Sequence, residues 1–123
     1  MNSFTTPLIL RFLDTKDDNR FEVFFPFTYR VKRGDKICVP KGFKTDFASI
    51  PRLFWRILPP IGLYGKAAVV HDYLYRNGLR TRQEADHIFL DAMKALGVSK
   101  WKRATMFRGV RMFGMFSYKK DNE

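Results

Sequence analysis

A chain of 123 residues has room for one sizeable core and not for two, and a hydrophobic content of 46% with 13 Phe supplies it. The single cysteine, Cys38, excludes an intrachain disulfide and a cysteine zinc site, and two histidines exclude a three-histidine one. The net charge of +11, from 23 Lys and Arg against 12 Asp and Glu, favours an anionic partner: nucleic acid, anionic lipid or an acidic protein.

The N-terminal MNSFTTPLILRFL has no basic stretch ahead of a long apolar run, so no signal peptide is expected, and no segment approaches the roughly 18 apolar residues of a membrane span. Residues 6–13 (TPLILRFL) and 20–31 (RFEVFFPFTYRV) are rich in aromatic and branched residues and are separated by the polar DTKDDN, which predicts a β-hairpin. Pro26 interrupts the second strand and points to a bulge or an edge there. KRGD then makes a turn and KICVP a third strand, so residues 6–40 are expected to form a small antiparallel sheet.

Residues 41–65 are apolar but crowded with Pro and Gly, which prevents a long helix or strand. A loop this apolar is expected to cover the sheet and the helices that follow. Asp46 and Ser49 are its few polar groups, read first as turn or cap residues and second as members of a cleft.

Residues 66–116 are expected to be helical. In GKAAVVHDYLY, Ala67, Ala68, His71, Leu74 and Tyr75 recur three and four residues apart, so the imidazole of His71 points with the apolar face. After RNGLR, Thr81 and Glu84 form a capping box that opens a second helix, and Gly97 closes it. Equal distances from the turn place His71 and Asp86 at about the same height in an antiparallel pair. Ser99 is the expected N-cap of a last helix whose apolar side packs and whose Lys100, Lys102, Arg103, Arg108 and Arg111 face water or a partner. Residues 98–120 hold seven basic and no acidic side chains, which makes this helix the expected contact for non-specific nucleic acid or an anionic membrane surface.

His71, Asp72, Tyr75 and Asp86 form the one grouping with the makings of a site. An imidazole held by a carboxylate has a fixed tautomer, as a water-activating general base requires. Asp72 projects about a quarter turn away and is a candidate ligand for a hard cation such as Ca2+, while Tyr75 is placed to steady Asp86. The alternative is a buried His–Asp hydrogen bond that only locks two helices together. A Ser49–His71–Asp86 triad is geometrically conceivable but has no oxyanion-hole sequence behind it.

The runs PKGFKTDFASIPR, AAVVHDYLY, TRQEADHIFLDAM and WKRATMFRGVRMFG, over roughly residues 38–114, resemble the phage and prophage domain of unknown function 1353 family. That resemblance implies a bacteriophage origin and no established activity. The hairpin alone, through Ala68, His71, Asp72, Tyr75 and Ala85-Asp86, is similar to the catalytic helix pair of phospholipases A2. That second likeness implies His71 as general base, Asp72 as Ca2+ ligand, Asp86 as the carboxylate orienting His71, and Tyr75 as its support. The Gly-rich Ca2+ loop of those enzymes is not recognisable; IGLYGK is the nearest stretch.

The expectation is therefore a single α+β domain spanning 1–123. Functionally it is expected to be a phage accessory or virion-associated protein, tail included, acting as a basic binding or structural module on other phage proteins, in the virion or the host cytoplasm. The alternative is a phospholipase A2-like hydrolase of host envelope esters.

Overall fold

The computed structural model describes residues 8–12, 21–31, 36–45, 54, 56, 65–78, 80–115 and 118. Among these residues the architecture is α+β, with short strands first and helices after, and it divides into two compact units, Met1–Asp46 and Phe47–Glu123.

In the first unit the strands are β1 (Leu10–Phe12), β2 (Phe21–Val23), β3 (Phe27–Arg30), β4 (Lys36–Val39) and β5 (Lys44–Thr45). The expected single sheet is two: a three-stranded antiparallel sheet ordered β1-β2-β5 and a two-stranded one of β3 and β4. The cause is Phe24-Phe25-Pro26. Proline has no N–H to donate to a ladder, so the long strand expected over 20–31 breaks there and its halves take different partners. Phe21 to Val23 pair with Phe12 to Leu10, whereas Phe27 to Arg30 pair with Val39 to Lys36.

A second correction is β5, which lies inside the stretch expected to be loop. Gly42, with φ of +91°, turns the chain back on itself, and Lys44 and Thr45 pair with Glu22 and Phe21. Backbone bonds from Val23 to Phe43 (2.8 Å) and from Gly42 to Val23 (2.9 Å) hold this return. Alternation along β3 and β4 buries Phe27, Tyr29, Ile37 and Val39 and leaves Cys38 exposed. The remainder of the expected covering loop falls almost wholly outside the described residues.

The second unit contains α1 (Gly65–Asn77), α2 (Arg82–Ala95) and α3 (Lys100–Phe113). The turn residues and caps read from the sequence form as expected. Thr81 adopts an extended N-cap conformation and its hydroxyl accepts from the backbone N–H of Glu84 at 3.1 Å. Gly97 has φ of +84°, and the pair of bonds Gly97 N–H to Lys94 O and Val98 N–H to Met93 O makes a Schellman closure. Ser99 occupies the N-cap position of α3 but its side chain makes no capping bond.

The core of this unit is small on α1 and larger on α2. Ala67, Ala68, Val69, Val70 and Leu74 let α1 approach closely, and Ile88, Phe89, Ala92 and Met93 fill the space from α2. From α3 only Met106, Gly109 and Val110 are buried. A Cβ on Gly109 would stand 2.7 Å from the ring of Phe54, so glycine is what allows the tip of that ring to approach the helix.

The caps are testable by themselves. Thr81→Ala is expected to cost about 1 kcal/mol, a fall of several degrees in melting temperature. Thermal denaturation followed by circular dichroism checks it, and an unchanged midpoint would mean that α2 does not depend on its first turn.

Candidate functional site

Asp86 lies on the buried face of α2, one turn in from the capping box, at 0% exposure. Removing a carboxylate from water this completely is costly unless donors replace the lost hydration. Four side chains from three helices supply them. His71 Nε2 and Asp86 Oδ1 are 2.7 Å apart, and the Tyr75 hydroxyl donates to the same oxygen at 2.5 Å. Arg111 Nη1 donates to Oδ2 at 2.9 Å, and Arg82, one turn before Asp86 on α2, stands 3.6 Å from that oxygen.

The protonation states follow from these partners. Burial alone pushes the Asp86 carboxyl upward, but hydrogen bonding and charge from His71 and the bonds from Tyr75 and Arg111 outweigh it and hold the group below the usual carboxylate range. Asp86 is thus an acceptor only, so Nε2 of His71 must carry the proton it donates. Burial, and then the bond to Asp86, pushes the Tyr75 phenol far up, so it too remains a donor.

The imidazole is also fixed by its neighbours. Its ring centroid is 4.1 Å from that of Tyr75 and 4.7 Å from that of Phe89, and His71 has 0% exposure. Tyr118 packs edge-on against Tyr75 and donates to the carbonyl of Arg80 at 2.9 Å. Arg82 has a second task. Its Nη1 donates to the carbonyls of Val110 (3.1 Å) and Arg111 (3.0 Å), placing a cation on the negative end of the α3 dipole.

The residues singled out in the sequence therefore have different fates. His71, Tyr75 and Asp86 meet as their spacing suggests. Asp72 is buried, with Oδ2 3.2 Å from Nε of Arg76, so the cation this carboxylate faces is a guanidinium one turn along α1. A Ca2+ ion takes six to eight oxygens, and among the described residues no group of three or more His, Cys, Asp or Glu is placed to hold a metal ion. Of the stretch IGLYGK, the nearest match to a Ca2+ loop, only Gly65 and Lys66 are among the described residues.

Asp46 and Ser49 lie outside the described residues. His87 is exposed against the ring of Phe107, away from His71. Of the five cations expected to face out from α3, Lys100 and Arg108 do so and Lys102 lies over the ring of Trp101. Arg103 donates to the Val98 carbonyl at 2.9 Å. Arg111 is the correction: it turns inward and completes the Asp86 cluster, because an ionised buried carboxylate attracts the nearest available cation. Its separation from Asp86 in the sequence hid this, whereas the four-residue spacing of Arg82 and Asp86 on one helix was a readable signal.

Replacing Asp86 tests the cluster. Asp86→Asn removes the charge and presents an amide N–H2 to donors, with a cost on the order of 2–3 kcal/mol once the partly exposed arginines are allowed for. The pH dependence has a fixed sign. A carboxyl whose folded value is depressed contributes stability that is complete above its unfolded value, about 3.9, and is lost as pH falls through the folded value. Melts of the parent and of Asp86→Asn between neutral pH and about pH 3 should therefore converge on the acid side. Parallel curves would show that Asp86 titrates normally.

Comparison with known proteins places this geometry in a family. The family model described as "Protein of unknown function (DUF1353)" matches residues 21–110. The chain is 37% identical over 106 residues to the "Uncharacterized protein y4jT" of Sinorhizobium fredii (strain NBRC 101917 / NGR234), covering 85% of this chain and 32% of that protein. It is 39% identical over 79 residues to "Uncharacterized protein y4iH" of the same strain, covering 60% of this chain and 32% of that protein. The chain thus spans about a third of the length of these curated relatives. No solved structure matches it. The matched span holds β2 to β5, all of α1 and α2 and His71, Tyr75 and Asp86, and the chain belongs to the family of proteins of unknown function called DUF1353.

Proposed function

We propose that the chain is a hydrolase of carboxylic esters in which His71 is the general base. The observation that carries this reading is the 2.7 Å approach of His71 Nε2 to an ionised Asp86 whose other donors, Tyr75 and Arg111, leave it no freedom to rotate. With Nε2 donating, Nδ1 takes a proton from a water molecule as that water attacks the ester carbonyl. Asp86 then balances the imidazolium that forms, and the same proton passes to the departing alkoxide. Base catalysis of this kind contributes about 100- to 10,000-fold. Since His71 is fully buried, an ester reaches Nδ1 only when the groups covering the ring move aside.

The likeness of AAVVHDYLY and Asp86 to the phospholipase A2 helix pair supports an ester of the host envelope as substrate, and the phage origin that the family resemblance implies fits such a target. Asp72 is ion-paired with Arg76, so a Ca2+ ion held by Asp72 would have to displace that guanidinium. A second reading is favoured by the outward cations of α3: a virion-associated protein, of the tail or another part, that docks an acidic phage partner and has no catalysis.

The test uses purified chain and phospholipid vesicles, with release of free fatty acid measured both with added Ca2+ and with chelator. The parent should release fatty acid and His71→Gln should lose at least about 100-fold of that rate while its melting temperature stays within a few degrees. No release under either condition, together with recovery of the chain on assembled phage particles, would replace the hydrolase by the docking protein.

A further inference from the structure

The outer face of α3 is apolar and basic at once, and among the described residues of the second unit none covers it. Trp101, Thr105, Arg108, Met112 and Met115 follow one another at steps of four and three residues, so they occupy one narrow arc of the helix, Met115 lying just past its end. Trp101 is 63%, Met112 64% and Met115 48% exposed, and Phe113 beside them is also exposed. Large apolar side chains left in water on one stripe mark a contact surface.

Cations flank this stripe. Lys100 and Lys102 bracket Trp101, Arg108 lies within it, and no acidic residue occurs between 98 and 120. Between α2 and α3 an open groove of about 320 Å3 has a floor of Leu90, Ala104 and Phe107 and a rim of Lys100, Arg103 and Arg108. Arg103 is committed to the Val98 carbonyl, whereas Lys100 and Arg108 make no hydrogen bond or ion pair with the described residues.

We infer that this face of α3 docks on an anionic phospholipid bilayer, with Trp101, Met112 and Met115 entering the headgroup boundary and Lys100, Lys102 and Arg108 on lipid phosphates. Lipid is the occupant that uses both halves of the surface. A nucleic acid would employ the cations and could stack a base on Trp101, but it has no use for two exposed methionines on the same side. A helix lying in the interface plane requires the pattern seen: an apolar stripe, cations at its edges with stems long enough to reach headgroups, and modest overall hydrophobicity. The stripe lies apart from His71 and Asp86, and the docking does not rest on the ester-hydrolase reading.

The experiment is sedimentation of the full chain with vesicles of phosphatidylcholine alone or mixed about equally with phosphatidylglycerol, alongside Trp fluorescence in a Trp55→Phe background so that Trp101 alone reports. Binding to the mixed vesicles with a blue shift of Trp101 is expected, together with a roughly tenfold or greater loss on Lys100→Glu/Arg108→Glu. Met112→Glu/Met115→Glu should lose the blue shift without lowering the melting temperature, since both side chains are exposed, and some binding should survive about 0.5 M salt because the apolar part is not screened. Absence of binding to the mixed vesicles would overturn the inference. So would binding indifferent to Met112→Glu/Met115→Glu, or capture of duplex DNA at salt where vesicles are not bound.

Discussion

The second unit is organised around one buried negative charge. Asp86 brings a carboxylate into a core of alanine, valine and phenylalanine, where an unpaired ion would be intolerable. Side chains of all three helices answer that demand. α1 supplies two donors to one oxygen, α3 supplies a guanidinium to the other, and α2 adds Arg82 from its own first turn. The donors differ in chemistry, and so the carboxylate has only one orientation that satisfies them all. Apolar packing between small residues tolerates sliding; this cluster does not, and it sets the register of the helices.

The same arrangement explains how a strongly basic chain handles charge near its core. Asp72 and Asp86 each face arginine, Asp72 through Arg76 on its own helix and Asp86 through Arg111 and Arg82. Among the described residues, Lys100 and Arg108 on the remaining face of α3 face no carboxylate of this kind. Arg82 joins the two roles, since it sits beside Asp86 and also closes the carbonyl end of α3. A single guanidinium thereby ties the ionised carboxylate to the terminus of the helix whose Arg111 completes its shell.

How much of this could be read beforehand depended on whether the signal was local. Thr81, Glu84 and Gly97 act on backbone groups within a few residues, and the ends they predict for α2 are the ends observed. The meeting of His71, Tyr75 and Asp86 was legible because a short turn fixes the relative height of two helices. The pairing of β5 with β2 was not, since two residues with no alternation carry no strand signature and owe their state to a partner twenty residues away. Pro26 was recognised as an interruption, but an interruption does not say that the halves will join different sheets. Arg111 was misplaced for a related reason: on α3 it looks like one more surface cation, and only the location of a distant carboxylate distinguishes it. Likewise, the exposed methionines near Phe113 have the composition of a core and the position of a surface, and composition is the only part visible in the sequence.

The three-helix origin of the Asp86 shell has a consequence for the order of events when the chain is made. α1 and α2 emerge first and can meet through His71 and Tyr75, but at that stage Oδ2 of Asp86 lacks its guanidinium from α3. The carboxylate is then half neutralised in a hairpin with one face still open to water. Docking of α3 supplies Arg111 and at the same moment offers the carbonyls of Val110 and Arg111 to Arg82. Closure is thus reciprocal, each helix bringing the group that the other lacks. The imidazole of His71 thus acquires its final electrostatic surroundings only once α3 is in place.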